Sequence, residues 1–308
     1  RFFTAHSGES HEKMTRIQFF NQLGLGAAAL WAGSMLYGVT RGKYAFRVMS
    51  ERVEFPDLPD AFEGLRIVHI SDMHLGSFNE ALDDVQPGFD LINSLAPDYV
   101  FFTGDMVNNF AQEAEPWIER LAGIQARYGK FSILGNHDYG DYVQWPTAQA
   151  KVDNLEALKK VHANMGWRLL MNEHVVLEKN GEKIALLGIE NWGAKARFPK
   201  YGKMDLAHPG TENIPFKILL SHDPSHWDAQ VLPEYPGIDL MLSGHTHGMQ
   251  FGLENPYFKW SPVQWMYKQW AGLYEQGAQK LYVNRGYGFI GYPGRVGILP
   301  EITVIELV

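Results

Sequence analysis

The sequence predicts an α/β fold that follows an apolar N-terminal helix. Short continuous apolar runs recur along the chain, amphipathic stretches separate the early runs, and one long uncharged segment lies near the N-terminus. Because strand-then-helix units connect through right-handed crossovers, we expect a largely parallel sheet covered by helices. We divide the chain into an N-terminal segment, 1–43, and a domain, 44–308.

The uncharged segment runs from Ile17 to Thr40 and contains no Asp, Glu, Lys or Arg. As a helix at about 1.5 Å per residue it would reach roughly 36 Å, enough to cross a bilayer core. We predict a membrane-spanning or anchoring helix over about 17–40; an export signal and a buried core helix are the alternatives. Its orientation is not predicted, because basic residues flank both ends: Lys13, Arg16, Arg41, Lys43 and Arg47.

The predicted strands are short runs rich in Ile, Val, Leu and Phe, as expected for strands covered on both faces. They are 65–70, 99–104, 130–135, 183–189, 216–221, 238–244, 280–284 and 301–307. Helices are predicted over 80–95, 111–127 and 147–165. The polar, Gly- and Pro-rich stretch 191–214 is predicted to be a long surface loop.

Composition excludes several functional classes. The 308 residues carry a net charge of −8 without a long basic run, which argues against binding nucleic acid through its phosphates. There is no cysteine, so disulfides, thiolate metal sites and cysteine nucleophiles are excluded. Because the sequence begins at Arg1 rather than at methionine, we expect a fragment or a processed form.

Five predicted strands end in side chains that can bind metal. Open α/β sheets bind ligands beyond the carboxyl ends of their strands, so these side chains should meet in one crevice. Residues two apart in an extended segment point to the same side. The two candidate ligands in "SDMH" can therefore reach one small volume, and so can the two in "GHTH". The candidate ligands are Asp72, His74, Asp105, Asn136, His222, His245 and His247.

This set combines imidazole nitrogen with carboxylate and amide oxygen, and it suits Mn, Fe, Zn, Ni or Co. Seven donors are too many for one catalytic ion that keeps an open position. They suit two divalent ions about 3.5–4 Å apart that share a carboxylate. Taken singly, His222 could be a core histidine, Asp105 a helix cap and Asn136 a turn residue.

The series "SDMH", "GDMVNN", "GNHD", "SHDP" and "GHTHG" resembles the calcineurin-like metallophosphoesterase superfamily over about 60–308. "GLRIVHISDMHLGSF" and "NRGYGFIGYPGRVGILPEITVIEL" are most similar to its bacterial membrane-associated branch, which includes pyrophosphatases acting on UDP-diacylglucosamine. The resemblance implies a four-layer α/β/β/α sandwich with a dinuclear centre at one sheet edge.

The resemblance also implies a role for each motif residue. One ion would be held by Asp72, His74, Asp105 and His247. The other would be held by Asp105, Asn136, His222 and His245. His137 would face the phosphate above the centre, and Asp138 would orient it.

The expected nucleophile is a hydroxide held by the two ions, with no phosphoenzyme. His137, paired with Asp138, is the candidate general acid for the leaving group. The alternative is that His137 only positions the phosphate.

Two C-terminal segments are candidates for substrate selection. The aromatic stretch 255–274 suits a bilayer interface or a wall for acyl chains, or else an insertion with its own small core. Arg285 and Arg295 could hold a second phosphate, or be solvated loop charges. Asn108 is a further candidate substrate contact.

We therefore expect a metal-dependent phosphoester hydrolase that acts on a lipid-linked or other membrane-near substrate. It would be held at a membrane, the bacterial inner membrane being favoured, by its N-terminal helix. The alternatives are a nucleotide or cyclic-nucleotide phosphodiesterase, and a non-catalytic metal-binding interaction module.

Overall fold

A computed structural model describes residues 14–79, 81–195, 198–255 and 257–308. Lys13, Glu80 at the start of the first predicted domain helix, residues 196–197 of the predicted loop and Pro256 of the aromatic stretch lie outside these ranges.

The described residues form fourteen strands. They are β1 Arg47–Val53, β2 Arg66–Ile70, β3 Tyr99–Phe102, β4 Gly129–Ser132, β5 Arg168–Leu169, β6 Glu173–Lys179, β7 Glu182–Gly188, β8 Lys217–Leu220, β9 Leu240–Ser243, β10 Leu253–Asn255, β11 Phe258–Trp260, β12 Gly272–Gln276, β13 Gln279–Val283 and β14 Glu301–Leu307. All eight predicted runs are strands, although several are shorter than predicted.

Two six-stranded sheets carry the architecture. The first has the order β1-β14-β2-β3-β4-β5 and the second has the order β12-β13-β9-β8-β7-β6. Strands β2, β3 and β4 are parallel to one another, as are β7, β8 and β9. Each sheet is therefore parallel at its centre and mixed at its margins, and β10 and β11 form a separate hairpin.

The α-helices are α1 Arg16–Thr40, α2 Leu82–Ser94, α3 Ile118–Ala122, α4 Ala148–Asn164, α5 Met204–Ala207 and α6 Leu232–Glu234. The predictions of α2 and α4 are confirmed to within two residues. The predicted helix 111–127 is instead a 3-10 segment, Ala111–Trp117, followed by α3. Pro116 lies inside this segment, lacks an N–H and disfavours a regular helix at the residue before it.

Three apolar layers confirm the α/β/β/α sandwich. Alternate side chains of one strand enter different layers, because successive side chains point to opposite faces. Val68 packs in the core beneath α2 and α4, whereas Ile67 packs between the two sheets. On the second sheet, Leu186 faces the first sheet and Leu187 packs under Trp227 on the far side.

Strands β1 and β6 were not predicted. Each lies at the margin of a sheet and pairs with one neighbour, and most of its side chains are only partly covered. Their sequences, "RVMSERV" and "EHVVLEK", carry charged residues and form no continuous apolar run.

The described part of 191–214 is mostly irregular and at least partly exposed, as predicted for a long surface loop, apart from one short helix. It contains α5, and Met204 and Ala207 are buried in the outer core of the second sheet. Tyr201 stacks on Tyr139 with ring centroids 4.1 Å apart. The ring of Phe198 lies 5.2 Å from that of His245, so this part of the stretch borders the crevice described below.

Helix α1 begins at a capping box, in which the Thr15 hydroxyl accepts the N–H of Gln18 and the Gln18 side chain accepts the N–H of Thr15. Within the described residues, Arg16–Tyr44 is the one segment long and apolar enough to cross a membrane, and 6% of its most apolar window is buried. The alternative of a buried core helix is therefore wrong.

Buried neutral histidines should make the metal-free protein sensitive to acid. Burial lowers the pKa of His69 and of His226 to about 4 and that of His162 to about 3. Below the usual imidazole pKa of about 6.5 the unfolded chain takes up protons that the folded chain does not. Stability should therefore be complete above about pH 6.5 and fall towards pH 4, by up to about 1.4 kcal/mol per pH unit for each group.

Urea unfolding of chelator-treated protein between pH 7.5 and pH 4.5 tests this expectation. The variant H162Q should show a shallower fall than the native chain. A free energy of unfolding that stays constant over this range would contradict the assignment.

Candidate metal centre

The seven predicted ligands meet at the carboxyl ends of the central strands. Asp72 and His74 follow β2, Asp105 follows β3 and Asn136 follows β4 in the first sheet, while His222 follows β8 and two histidines follow β9 in the second. Two groups of donors form there, each with its atoms within 4.8 Å of one another: Asp72, His74, Asp105 and His247; and Asp105, His222 and His245.

In the first group, two imidazoles face each other. His74 Nε2 lies 3.0 Å from His247 Nε2, and His247 Nε2 lies 3.2 Å from Asp72 Oδ1. Asp105 Oδ2 lies 3.6 Å from His74 Nε2. Converging nitrogen lone pairs beside two carboxylates favour a cation at this point.

In the second group, Asp105 Oδ2 lies 3.1 Å from His222 Nε2. The Asn136 Oδ1 atom lies 3.1 Å and the His245 Nδ1 atom 3.2 Å from that same nitrogen. Asp105 thus belongs to both groups, so its carboxylate is placed where a bridge between two ions would lie.

In His74 and His222, the ring nitrogen that faces away from the centre forms a hydrogen bond. His74 Nδ1 lies 3.1 Å from Asn108 Oδ1, and His222 Nδ1 lies 2.7 Å from the Thr103 carbonyl oxygen. Both oxygens accept, so these nitrogens donate and the lone pairs of the Nε2 atoms point into the crevice. This is the protonation state that a metal ligand needs.

The local charges favour cations. Burial would raise the pKa of Asp72 and Asp105, but the neighbouring histidines hold the pKa of both carboxyls well below the usual value. Burial alone would lower the pKa of the His222 imidazole, but the neighbouring Asp105 carboxylate raises it to about 10. A divalent ion would take the place of that proton beside Asp105, so the residues present fit a bound metal.

Unusual backbone geometry positions five of the seven candidate ligands. Asp72, His74, Asp105, His245 and His247 have φ values of 53°, 45°, 59°, 71° and 52°, in the left-handed region. Such conformations cost about 1–3 kcal/mol each and persist only when the surroundings impose them. Close backbone approach helps to impose them: a Cβ atom at Gly135 would overlap the Asp105 carboxylate.

Comparison with known proteins agrees with this geometry. A family model described as calcineurin-like phosphoesterase matches residues 65–249, the span that carries all seven candidate ligands. The chain belongs to the calcineurin-like phosphoesterases. It is therefore a hydrolase of phosphoester or pyrophosphate bonds, and the alternative of a non-catalytic interaction module is not supported.

Three relatives illustrate the similarity. The uncharacterized metallophosphoesterase YkuE of Bacillus subtilis is 31% identical, covering 96% of this chain and 98% of that protein. A transmembrane protein with metallophosphoesterase domain from Danio rerio is 30% identical over 88% of this chain and 60% of its own length. LpxG of Chlamydia trachomatis, a UDP-2,3-diacylglucosamine pyrophosphatase, is 28% identical over 75% of this chain and 81% of its own.

His137 lies at the mouth of the phosphoesterase centre and belongs to neither ligand group. Its ring is 5.0 Å from the ring of His74, and its Nδ1 donates to the Asn108 carbonyl at 2.9 Å. The residue is half-buried. Its Nε2 has no hydrogen-bond partner among the described residues and remains available to a substrate.

Asp138 does not contact the His137 ring, which corrects the predicted pair. Its buried carboxylate accepts the backbone N–H groups of Gly135, Asp105, Met106 and Val107 at 2.8–3.2 Å. Asp138 therefore joins the loops after β3 and β4 and fixes the backbone of Asp105. The Asn108 carbonyl, not Asp138, orients His137.

The predicted substrate contacts also have protein partners. Asn108 binds His74 and donates to the Ser77 hydroxyl at 3.1 Å. Arg285 is buried and pairs with Glu254 and Glu301 at 2.5 Å each. Arg295 is fully buried and donates to the carbonyls of Gly288 and Arg285. The alternative of solvated loop charges is wrong for both arginines, and substrate contact by any of the three residues stays a prediction.

Several supporting residues were missed. Glu113 accepts the N–H groups of Asn108, Asn109 and Phe110 and so holds the loop that orients His74 and His137. Tyr267 lies 2.9 Å from His245 Nε2 and donates to Asp223 at 3.4 Å, which continues the second ligand group outward. No spacing rule marks these residues, because they reach the centre from other elements.

Tyr142 is a further missed residue, and it supports a testable expectation. Its hydroxyl accepts Asn136 Nδ2 at 2.7 Å, which turns Asn136 Oδ1 towards His222, and its ring packs 4.6 Å from that of His137. Y142F should therefore weaken metal binding by about 10–100-fold at the second group.

Titration of the metal-free variant with Mn²⁺ measures this effect. The exposed Tyr128 lies outside the centre, so Y128F should bind like the native chain. Equal affinity in Y142F and Y128F would show that Asn136 needs no support from Tyr142.

Proposed function

We propose that this phosphoesterase uses two divalent ions to hydrolyse a phosphoester or pyrophosphate bond of a lipid-linked substrate at a membrane. The observation that carries the proposal is that two donor groups share one carboxylate, that of Asp105. The name of the LpxG relative supports a lipid-linked pyrophosphate as the substrate class.

The residues would divide between the ions as follows: Asp72, His74, Asp105 and His247 hold one; Asp105, Asn136, His222 and His245 hold the other. When bound, such ions lower the pKa of water and stabilise charge on the phosphoryl group. The donor chemistry suits Mn, Fe, Zn, Ni or Co.

His137 would bind the phosphoryl or leaving-group oxygen through Nε2. Because Nδ1 donates to the Asn108 carbonyl, a protonated ring carries its second proton on Nε2, which faces the crevice. Proton donation to the departing oxygen is then a direct transfer over one hydrogen bond. Asp138 supports this step indirectly, by holding the loops that carry Asp105 and His137.

Helix α1 would hold the enzyme in the membrane, and 44–308 would form the catalytic domain. Six residues separate Thr40 from β1, so the domain lies directly at the end of the helix. Relatives named as transmembrane proteins support this placement. We assign the protein to a bacterial inner membrane.

The test is metal content and hydrolysis measured on the same preparation. Chelator-treated protein reloaded with Mn²⁺ should bind two ions per chain and hydrolyse bis-p-nitrophenyl phosphate. It should hydrolyse UDP-2,3-diacylglucosamine in mixed micelles at least about tenfold faster than a water-soluble nucleotide diester. Faster hydrolysis of the nucleotide would favour the phosphodiesterase alternative, and one ion per chain with full activity would exclude the dinuclear centre.

A further inference from the structure

An exposed apolar surface lies beside the metal centre. Twelve large hydrophobic side chains are exposed among the described residues C-terminal to α1, and half of them fall within 249–266. This apolar patch consists of Met249, Leu253, Tyr257, Phe258, Trp265 and Met266. Tyr257 is 98% exposed and Trp265 is 75% exposed. A cluster of large apolar side chains with this much exposed area is unusual on a protein surface.

A small hydrophobic core supports the patch. Val263, Tyr267, Trp270 and Ala271 form a small core with Ile298 directly beneath it. This confirms the sequence alternative of an insertion with its own core, but that core leaves the patch residues outside. The outward aromatic side chains are therefore displayed on a packed base.

The patch is connected to the end of α1 through the loop 292–296. Phe251, next to the patch, pairs with Val296, and the Gln250 side chain donates to the carbonyls of Tyr292 and Gly294. On the other side of the same loop, the Tyr292 hydroxyl donates to the Met35 carbonyl at 2.6 Å. The Arg295 N–H donates to the Gly38 carbonyl at 3.2 Å. These contacts fix the end of α1 against the domain. The position of the patch relative to the helix is therefore fixed as well.

A cleft lies between the apolar patch, the residue that contacts the helix end and His247 of the metal centre. Its volume is about 320 Å³, and it is lined by Thr246, His247, Met249, Gln250, Ile290 and Tyr292. One lining residue is a metal ligand, another belongs to the patch, and Tyr292 binds α1.

We propose that the apolar patch rests in the interfacial layer of the bilayer that α1 enters, and that the cleft admits the lipid-linked phosphate from that layer to the metal centre. This inference rests on the proposed function. The part of α1 before Met35 comprises 16–34, about 28 Å at 1.5 Å per residue, which matches a bilayer core. The docked turn after it would then lie at headgroup level.

Charge and side-chain type agree with this placement. Exposed tyrosine and tryptophan are favoured where hydrocarbon meets water. Arg41 follows the helix end, and Lys259 lies within the patch segment; both are exposed. Cations in these positions suit the phosphate layer of an anionic membrane.

The absence of cysteine permits a direct test on the full chain. Single cysteines at Leu253 and Tyr257 (L253C, Y257C) carry an environment-sensitive fluorophore, and the exposed sites Tyr128 and Val176 (Y128C, V176C) are matched controls. The protein is reconstituted into phosphatidylcholine–phosphatidylglycerol vesicles with lipids spin-labelled near the headgroup. Fluorescence at 253 and 257 should be quenched at least about threefold more than at 128 and 176. Equal quenching at all four sites would overturn the proposal.

A second measurement tests delivery through the cleft. The double variant W265S/M266S should lower the rate on a vesicle-embedded lipid pyrophosphate, relative to soluble bis-p-nitrophenyl phosphate, by about tenfold. The control V176S/L206S removes two exposed apolar groups elsewhere and should leave that ratio unchanged. An unchanged ratio in W265S/M266S would overturn lipid delivery from the patch. If the native chain hydrolyses neither substrate, the proposed function fails, and the quenching experiment alone decides whether the patch contacts the bilayer.

Discussion

D105N should abolish hydrolysis and reduce bound metal from two ions to at most one. Asp105 Oδ2 lies 3.6 Å from His74 Nε2 and 3.1 Å from His222 Nε2, so the variant weakens both donor groups together. An amide carries no charge to offset two cations. We expect kcat to fall by roughly 10³-fold or more, because charge stabilisation by metal is the main source of catalysis in such centres.

Metal content by mass spectrometry and hydrolysis of bis-p-nitrophenyl phosphate measure this effect. D141N is a suitable control, because Asp141 pairs with Lys151 and Tyr201 close to the crevice but outside both donor groups. Two tightly bound ions in D105N would contradict a bridging role for Asp105.

H137A should lower kcat on an alkyl phosphodiester by about 10²–10⁴-fold while two ions stay bound. His137 belongs to neither donor group, so its removal leaves the ligands in place. If the ring donates a proton, the loss should be large for an alkyl phosphodiester, whose leaving group is strongly basic. It should be small for a p-nitrophenyl ester, whose leaving group departs without a proton.

The alternative role of His137 gives a different pattern. A residue that only positions phosphate would raise KM by a similar factor for both esters. Loss of metal from H137A would refute both roles, since it would place His137 among the ligands.

The candidate ligands could be predicted because their positions follow from local sequence. Each apolar run marks a buried strand, and the next polar residues occupy its carboxyl end, where parallel strands meet. Asp72 and His247 are far apart in the sequence, yet their strands deliver them to one crevice.

The surroundings of the ligands could not be predicted in the same way. Asp138 follows His137 directly, which suggested a pair, but its carboxylate turns back to backbone N–H groups of two loops. Glu113 and Tyr142 reach the centre through contacts that depend on how separate loops pack. Arg285 looked like a free cation in a glycine-rich loop because its partner Glu301 lies in β14.

The strands also divide into those that the sequence predicts and those that it does not. Central strands were recognised from their apolar runs, whereas β1 and β6 combine polar and apolar residues because each is covered incompletely. The aromatic residues of 255–274 support two alternatives at the level of sequence, since such side chains suit both a protein interior, like the small core under the apolar patch, and a lipid interface.

The left-handed conformations of five candidate ligands have an evolutionary consequence. Most side chains are unfavourable at such angles, so selection for robustness alone would replace these residues, with glycine above all. Their presence implies that the side chains, rather than the backbone preferences, are what keeps them. A lineage released from the need to cleave phosphate should therefore lose these five residues early.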